Sequence, residues 1–223
     1  MNDLFKILKI QGKNIKLYET SLKHPSYANE KNHNEDYQRL EFLGDAVLEL
    51  SISDYLYNNY HMFEGDMTKV RANYVCENAL ARYMYDLGLE NFIKLGVGEK
   101  KNGGSHKNSV VSDVFEALMG AIYLDLGYQK SKDVILRITK PYMDKKIDFI
   151  MDYKTRFQEA LKDVRDSITY KLINEEGPAH DKRFTIHLMV DDVCYGEGMG
   201  KSKKEAEQMA AKIALTKLVK QKG

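Results

Sequence analysis

Residues 37–50 carry the pattern that decides the fold, and they read YQRLEFLGDAVLEL. Apolar residues recur here at spacings of three and four, which is the period of one face of an α-helix. The residues of this stripe are Leu40, Leu43, Val47 and Leu50. We therefore expect a helix that runs to about residue 60, with its apolar stripe facing a core.

A second face of this helix is acidic. Glu41 and Asp45 lie four residues apart, so their carboxylates point to the same side, and Gln38 joins them there. Like charges at this spacing destabilise an exposed helix by about 0.2–0.5 kcal/mol. A divalent cation would offset that repulsion, whereas an ordinary solvated face would simply tolerate it. The pair alone does not decide between these interpretations.

Phe42 lies beside the acidic face and away from the main apolar stripe. A large apolar side chain that stays exposed on a domain often marks an interface with another molecule. The alternative is a side chain covered by a neighbouring loop of the same chain. Both interpretations remain open at this point.

The composition excludes some classes of protein. The 223 residues, 43% of them hydrophobic, suffice for one large domain or two smaller ones. The 34 basic and 33 acidic side chains nearly cancel, so only a local cluster of charge could support nucleic-acid binding. Cys76 and Cys194 have no CxxC spacing and are expected to be free thiols in a reducing compartment. Without a signal peptide or an apolar run of membrane length, we expect a soluble, cytoplasmic protein with no membrane partner.

A second acidic pair lies in a long helix predicted over residues 109–126. Asp113 and Glu116 are three residues apart, on the side opposite the apolar stripe. Gly120 falls on that same side, and Gly44 lies between the stripe and the acids of the first helix. Glycine inside a helix costs about 1 kcal/mol relative to alanine, which suggests a packing reason. We infer that the two helices approach closely and bring their acidic faces together.

Four carboxylates from two helices, with no histidine or cysteine among them, suit a hard cation that prefers oxygen ligands. Magnesium or manganese fits this description, whereas zinc does not. None of the six histidines forms an HExxH or another zinc spacing. A carboxylate cluster that holds magnesium is the usual apparatus of phosphoryl transfer, where it activates water and stabilises the departing oxygen. For each acidic pair alone, a solvated face remains the alternative.

Local signals predict other boundaries in the first two thirds of the chain. Asp66 is a plausible N-cap for a helix through Leu80, and Ser109 is one for the helix that follows the glycine-rich region. A further helix is predicted to start near Ser131 and to end before Pro141, because proline disfavours helix at the preceding residue. The composition then changes, and we place a linker around residues 147–152.

The last third predicts a helix, three antiparallel strands and a final helix. The first helix covers residues 154–163, and Asp191-Asp192 forms the turn before a strand over residues 193–197. A capping box of Ser202 and Glu205 opens the last helix. Basic side chains cluster at its start, namely Lys201, Lys203 and Lys204. Phosphate is the natural ligand of such a helix start, and a solvated basic surface is the alternative.

Together these stretches resemble the ribonuclease III family. Residues 38–48 look like its signature, residues 109–121 (SVVSDVFEALMGA) like its second acidic motif and residues 64–66 (EGD) like an intermediate one. Residues 152–220 resemble a double-stranded-RNA-binding domain, through KTRFQE at 154–159, GPAH at 177–180 and GMGKSKKEA at 198–206. The resemblance implies an α+β fold with two domains. These are an all-α endonuclease domain at residues 1–150 and an α-β-β-β-α RNA-binding domain at residues 151–223.

The resemblance also implies roles for single residues in a homodimeric, magnesium-dependent endonuclease for double-stranded RNA, in which manganese can substitute. Phe42 matches the apolar residue that packs into the partner subunit. The metal ligands that it implies are Glu41, Asp45, Asp113 and Glu116, with Asp45 and Glu116 as the catalytic pair. The implied RNA contacts are Gln158, His180, Lys203 and Lys204, beside Lys201 of the basic cluster. Glu64 matches an accessory acidic residue, and Gln38 stands where bacterial members usually carry glutamate.

The implied reaction hydrolyses the phosphodiester to 5′-phosphate and 3′-hydroxyl ends, in the processing of ribosomal RNA precursors and other structured transcripts, including messenger RNA. Two other classes of protein remain to be weighed. A non-catalytic protein that sequesters or presents duplex RNA is supported only by the uncharged Gln38, and the four intact carboxylates argue against it. A small-molecule phosphohydrolase would leave the C-terminal module unexplained.

Overall fold

The computed structural model describes residues 1–32, 35–150, 152–161, 167–178 and 182–221. The chain divides into two compact units, Met1–Ile150 and Met151–Gly223. Within the described ranges, none of the helices combines the length and the apolar character needed to span a membrane.

The first unit is helical. Its α-helices are α1 (Asn2–Leu8), α2 (Ile15–Ser21), α3 (Pro25–Glu30), α4 (Gln38–Asn59), α5 (Glu64–Val75), α6 (Glu77–Leu87), α7 (Val97–Lys101), α8 (Asn108–Leu126) and α9 (Tyr128–Asp144). Short 3₁₀ helices at Leu89–Phe92 and Gly104–His106 lie on either side of α7 in the chain. The all-α first part of the predicted fold class is thus confirmed.

Helix α8 lies at the centre of this unit and packs against α2, α4, α6 and α9. Because neighbours cover it on several sides, nearly all of its residues between Val110 and Ile122 are buried. The two residues of that stretch that stay partly exposed are Asp113 and Glu116. Between Val110 and Ile122, α8 is therefore buried almost all round, and the side that remains accessible to solvent carries the two acids.

Helix α4 has nearly the predicted bounds, but the predicted stripe describes its buried face only in part. Leu40 and Val47 are buried as expected, whereas Leu50 is 54% exposed. Leu48 and Ile52 are buried in its place. The buried face is rotated because α8 packs against the side of α4 that carries Gly44, which the spacing of leucines alone does not show.

Two predicted N-caps are wrong. The helix expected from Asp66 through Leu80 is two helices, because Cys76 has an extended backbone, with φ −72° and ψ 158°. The carbonyl oxygen of Cys76 then accepts the N–H of Ala79 at 2.9 Å, which starts α6. Asp66 lies inside the first turn of α5, and Ser109 is the second residue of α8 rather than its cap.

Pro141 does not end α9, which begins at Tyr128 and continues to Asp144. The ring sits in the last turn, where the loss of one N–H donor disturbs little of the helix. The residues after it are held by packing, since Met143 is buried and the Tyr142 ring lies 4.8 Å from that of Tyr83. Tertiary contacts therefore override the local signal of the proline.

The predicted linker at residues 147–152 is partly wrong, because its first residues pack on the helical unit. The side-chain oxygen Oδ1 of Asn73 accepts the N–H groups of Phe149 at 2.7 Å and Ile150 at 2.9 Å. The Phe149 ring is buried beside Tyr74 and Tyr83. The apolar character of Phe149, rather than the charges around it, decides where this segment lies.

The second unit contains α10 (Tyr153–Ala160), β1 (Ile168–Glu176), β2 (Arg183–Val190), β3 (Val193–Gly200) and α11 (Lys203–Gln221). The strands form an antiparallel sheet in the order β1-β2-β3. The α-β-β-β-α order confirms the second part of the predicted fold class. Helix α10 starts where the Asp152 side chain accepts the N–H of Thr155 at 3.1 Å, and its predicted end at residue 163 lies outside the described residues.

The turn between β2 and β3 has positive φ angles at Asp191 (44°) and Asp192 (65°), as a tight hairpin requires. Strand β3 continues beyond the predicted residue 197 to Gly200. A side chain at Gly198 would overlap the backbone of Ala206 on α11, so glycine lets the helix lie directly on the sheet. The core between sheet and helices is formed by Phe157, Leu188, Val190, Ala210, Ala211 and Ala214.

Candidate active site

Helices α4 and α8 touch through their backbones at two glycines. A methyl group at Gly44 would overlap the carbonyl oxygen of Glu116. A methyl group at Gly120 would overlap the carbonyl oxygen of Leu40 and lie 3.2 Å from the amide nitrogen of Gly44. The two glycines therefore serve the close approach that their positions predicted, and the acidic faces of the two helices meet beside them.

The Glu116 carboxyl is affected electrostatically by the acids of both helices. Burial is the largest cause that raises the pKa of the Glu116 carboxyl, and together with its neighbours it brings the value to about 8. The negative charges that add to this effect are, in decreasing order, those of Asp45, Asp113 and Glu41. The charges of both acids on α4 thus act on an acid of α8, so the two predicted pairs form one electrostatically coupled acidic cluster.

The pKa values of Glu41 and Asp113 are also raised, in both cases mainly by burial. Burial, followed by the charge of Asp113, raises the pKa of Glu41. Burial also raises the pKa of Asp113, although a hydrogen bond partly opposes the shift. That bond is donated by the hydroxyl of Tyr37 to Oδ2 of Asp113 at 3.1 Å. Sequence reasoning missed Tyr37, because it lies 76 residues from its partner and no spacing rule joins them.

No ion pair formed by the described residues involves any of these four carboxylates. Four oxygen-donor groups that repel one another fit a divalent metal such as magnesium or manganese. Among the described residues, no three Asp, Glu, His or Cys side chains are close enough to share one ion. The contact of α4 and α8 places the acids on neighbouring helix faces, and their side chains would have to move closer together to share one ion.

The other predicted residues of this unit lie at its surface. Phe42 is 83% exposed, which excludes a side chain covered by a loop of the described residues. Leu50 and Tyr57 extend an exposed apolar strip along α4 from Phe42, and Tyr57 is 77% exposed. Gln38 is exposed at the first position of α4. Glu64 is exposed at the first position of α5 and accepts a hydrogen bond from the Thr68 hydroxyl at 3.2 Å.

The predicted RNA contacts of the second unit are also exposed. Lys201, Lys203 and Lys204 surround the start of α11, and Gln158 lies on α10. The predicted capping box is present in modified form. The Ser202 hydroxyl accepts the N–H of Glu205 at 3.2 Å as expected, but the Glu205 carboxylate accepts the N–H of Lys201 at 2.7 Å rather than that of Ser202. His180 lies outside the described residues.

Family models match both units. A model described as ribonuclease-III-like matches residues 14–142, and one described as a double-stranded RNA binding motif matches residues 153–218. The chain is 46% identical over 220 residues to ribonuclease 3 of the Onion yellows phytoplasma (strain OY-M), an alignment that covers 98% of this chain and 92% of that protein. It is 43% identical over 217 residues to ribonuclease 3 of Clostridium perfringens (strain 13 / Type A), covering 96% of this chain and 92% of that protein.

A solved structure is similar to the helical unit. The nuclease domain of ribonuclease III from Campylobacter jejuni superposes with a TM-score of 0.59 at 37% sequence identity. The match covers 62% of this chain and 95% of that one, and the description of that structure refers to a region involved in its dimer formation.

Proposed function

The chain belongs to the ribonuclease III family and is an endoribonuclease that acts on double-stranded RNA with a divalent metal, and from this premise we propose that magnesium-dependent hydrolysis takes place at the carboxylates between α4 and α8. The residues to which we assign the metal are Glu41, Asp45, Asp113 and Glu116. The observation that carries the proposal is the backbone contact of α4 and α8 at Gly44 and Gly120, which places Glu116 beside the acids of α4. The charges of Asp45 and Glu41 accordingly raise the pKa of Glu116 across this contact. We assign catalysis to residues 1–150 and RNA binding to residues 151–223.

The chain's own groups define what the site does. Asp45 and Glu116, which flank the contact at Gly44, are the pair that we place at the reacting phosphate. When bound, the cation supplies a Lewis acid that activates water and stabilises the departing oxygen, and manganese can take its place. The bond between phosphorus and the 3′-oxygen breaks as water oxygen joins phosphorus, which leaves 5′-phosphate and 3′-hydroxyl ends. Gln38 brings no charge to this site, and Glu64 has an accessory role.

The exposed cations of the second unit suit the phosphates of an A-form duplex. Lys201, Lys203 and Lys204 surround a helix N-terminus, where backbone N–H groups add partial positive charge. Gln158 and His180 complete the proposed contacts. Contacts of this type read the shape of double-stranded RNA rather than its sequence.

We also propose that the enzyme is a homodimer. The exposed apolar strip of Phe42, Leu50 and Tyr57 runs along the same helix that carries Glu41 and Asp45. Large apolar side chains at a surface support an interface, and a two-fold dimer would bury the same strip from both subunits. The acidic site would then lie at the edge of that interface.

For its cellular role we propose processing of ribosomal RNA precursors and other structured transcripts, including messenger RNA, in the cytoplasm. The proposal rests on the family and on Cys76 and Cys194, which are both free. Free thiols suit a reducing compartment.

The test is a cleavage gel with long duplex RNA, magnesium and, in parallel, a chelator. Glu116→Gln keeps the shape of the side chain but removes its charge, and we expect cleavage to fall by about two orders of magnitude or more while RNA binding persists. Glu49→Gln, which changes an exposed carboxylate on α4, is the matched control and should cleave normally. Cleavage by Glu116→Gln at the wild-type rate would refute the assignment. Binding without cleavage by the wild-type protein would favour a non-catalytic RNA-binding protein.

A further inference from the structure

Tyr37 joins the two helices that carry the acids. Its carbonyl oxygen accepts the N–H groups of Leu40 and Glu41, each at 2.9 Å, and so starts α4. Its hydroxyl donates to Oδ2 of Asp113 on α8 at 3.1 Å. The same residue thus anchors the first turn of one acidic helix and a carboxylate of the other.

The position of this hydroxyl is determined by packing. The Tyr37 side chain is only 4% exposed. Its N–H donates to the carbonyl oxygen of Lys23 at 3.0 Å, and the His24 ring meets it edge-on with ring centres 5.7 Å apart. A tyrosine held by backbone bonds and a neighbouring ring has little freedom to follow a moving carboxylate. The hydroxyl therefore holds Asp113, and not the reverse.

From this geometry we infer that Tyr37 is a positioning residue for the divalent cation, acting through Asp113. The hydroxyl occupies one lone pair of Oδ2, which leaves Oδ1 available to a cation. The inference rests on the proposed function, since it takes Asp113 as a metal ligand. Partners that orient a metal-binding side chain in this way commonly contribute tenfold to a hundredfold in metal affinity.

The chain provides a close control for this contact. Tyr18 is fully buried, and its hydroxyl donates to Oδ2 of Asp125 at 2.8 Å. Asp125 lies on α8 as well, but near the end of the helix, and it also accepts the backbone N–H groups of Lys13 and Asn14. Tyr18→Phe therefore removes the same kind of hydrogen bond from the same helix without touching the acidic cluster.

The experiment measures magnesium binding by calorimetry on the full chain without RNA, for the wild-type protein, Tyr37→Phe and Tyr18→Phe. We expect Tyr37→Phe to bind magnesium about tenfold more weakly and Tyr18→Phe to bind it like the wild type. Cleavage by Tyr37→Phe should fall at limiting magnesium and recover in excess magnesium, with RNA binding in the presence of a chelator unchanged. Melting curves are recorded first, and all titrations are run below the lowest midpoint.

The outcomes separate this inference from the proposed function. If the wild-type protein does not bind magnesium, the proposed function fails. If the wild type binds it and Tyr37→Phe binds it equally well, only the role of Tyr37 is overturned. Equal weakening by Tyr37→Phe and Tyr18→Phe would also overturn that role, because it would point to a general loosening of α8.

Discussion

The two units of this protein differ in how exposed their clusters of like charge are. In the helical unit, four carboxylates are brought together beside a backbone contact, where Glu41, Asp113 and Glu116 are only partly exposed. In the second unit, Lys201, Lys203 and Lys204 stand exposed at the start of α11. Water screens the lysines, so each acts almost independently, whereas burial strengthens the repulsion among the acids. Either protonation of Glu116 or a bound cation relieves that repulsion.

The contrast also shows which contacts tolerate change. The acidic cluster depends on the separation of two backbones, and a single methyl group can alter that separation. The basic cluster depends on solvated side chains that can adjust their positions. We therefore expect large effects from substitutions at the helix contact of the first unit and small, additive effects in the second.

The largest effect should come from Gly44→Ala, which would break the contact between α4 and α8. Its methyl group would overlap the carbonyl oxygen of Glu116, so the helices must separate. We expect a loss of about 3 kcal/mol in the free energy of unfolding, together with loss of cleavage. Gly65→Ala on α5 is the control, because no atom lies within 4 Å of its added methyl group. Chemical denaturation that gives the same stability for both variants would contradict the account.

A smaller effect is expected in the pH dependence of stability, which tests whether the acids repel one another in the folded protein. The pKa of Glu116 rises from 4.5 to about 8 on folding, so its favourable contribution is complete below pH 4.5 and is lost as the pH rises through 8. In the absence of divalent metal, Glu116→Gln should therefore be more stable than the wild type at pH 8.5, by on the order of 2 kcal/mol, and not at pH 4. Thermal melts across this range check the prediction, with Glu49→Gln as the control. If the difference in stability between the wild type and Glu116→Gln did not change with pH, the result would contradict the coupling.

The smallest effect should be seen at the basic cluster. Replacing Lys203 and Lys204 by alanine should weaken binding to all duplex RNAs alike and lower the salt dependence by about one unit of slope per lost phosphate contact. Stability should change by less than about 0.5 kcal/mol, because both side chains are exposed. Lys171→Ala, which removes an exposed lysine on β1, should leave the slope unchanged. Binding titrations at several salt concentrations decide this, and an unaltered slope for the double variant would exclude these lysines as phosphate contacts.

Local patterns predicted the elements of the fold well where one face of a helix or strand is buried. The bounds of α4 and the turn at Asp191-Asp192 follow from period and turn chemistry alone. The errors arose where tertiary contacts decide. Pro141 stays inside α9 because Tyr142 and Met143, which follow it, pack against the core. Phe149 belongs to the first unit because its ring packs against that of Tyr83.

The sequence predicted the acidic residues of the candidate site, but it did not predict the residues that hold them in position. Spacing of three or four residues places acids on one helix face, and the two glycines indicated that the faces meet. No such rule relates Tyr37 to Asp113, since hydrogen bonds between distant residues leave no periodic signal. The extension of the exposed strip to Leu50 and Tyr57 was missed for a similar reason, because the rotation of α4 is determined by α8.

The most direct test of the acidic cluster is an NMR titration of the Glu116 side-chain carboxyl, followed by its carbon chemical shift with and without magnesium. Without metal, the account predicts a pKa near 8, and with saturating magnesium it predicts a value below the ordinary 4.5 of a glutamate, because the cation favours the charged form. A midpoint near 4.5 that magnesium does not move would contradict it, since Glu116 would then share neither charge nor cation with Glu41, Asp45 and Asp113.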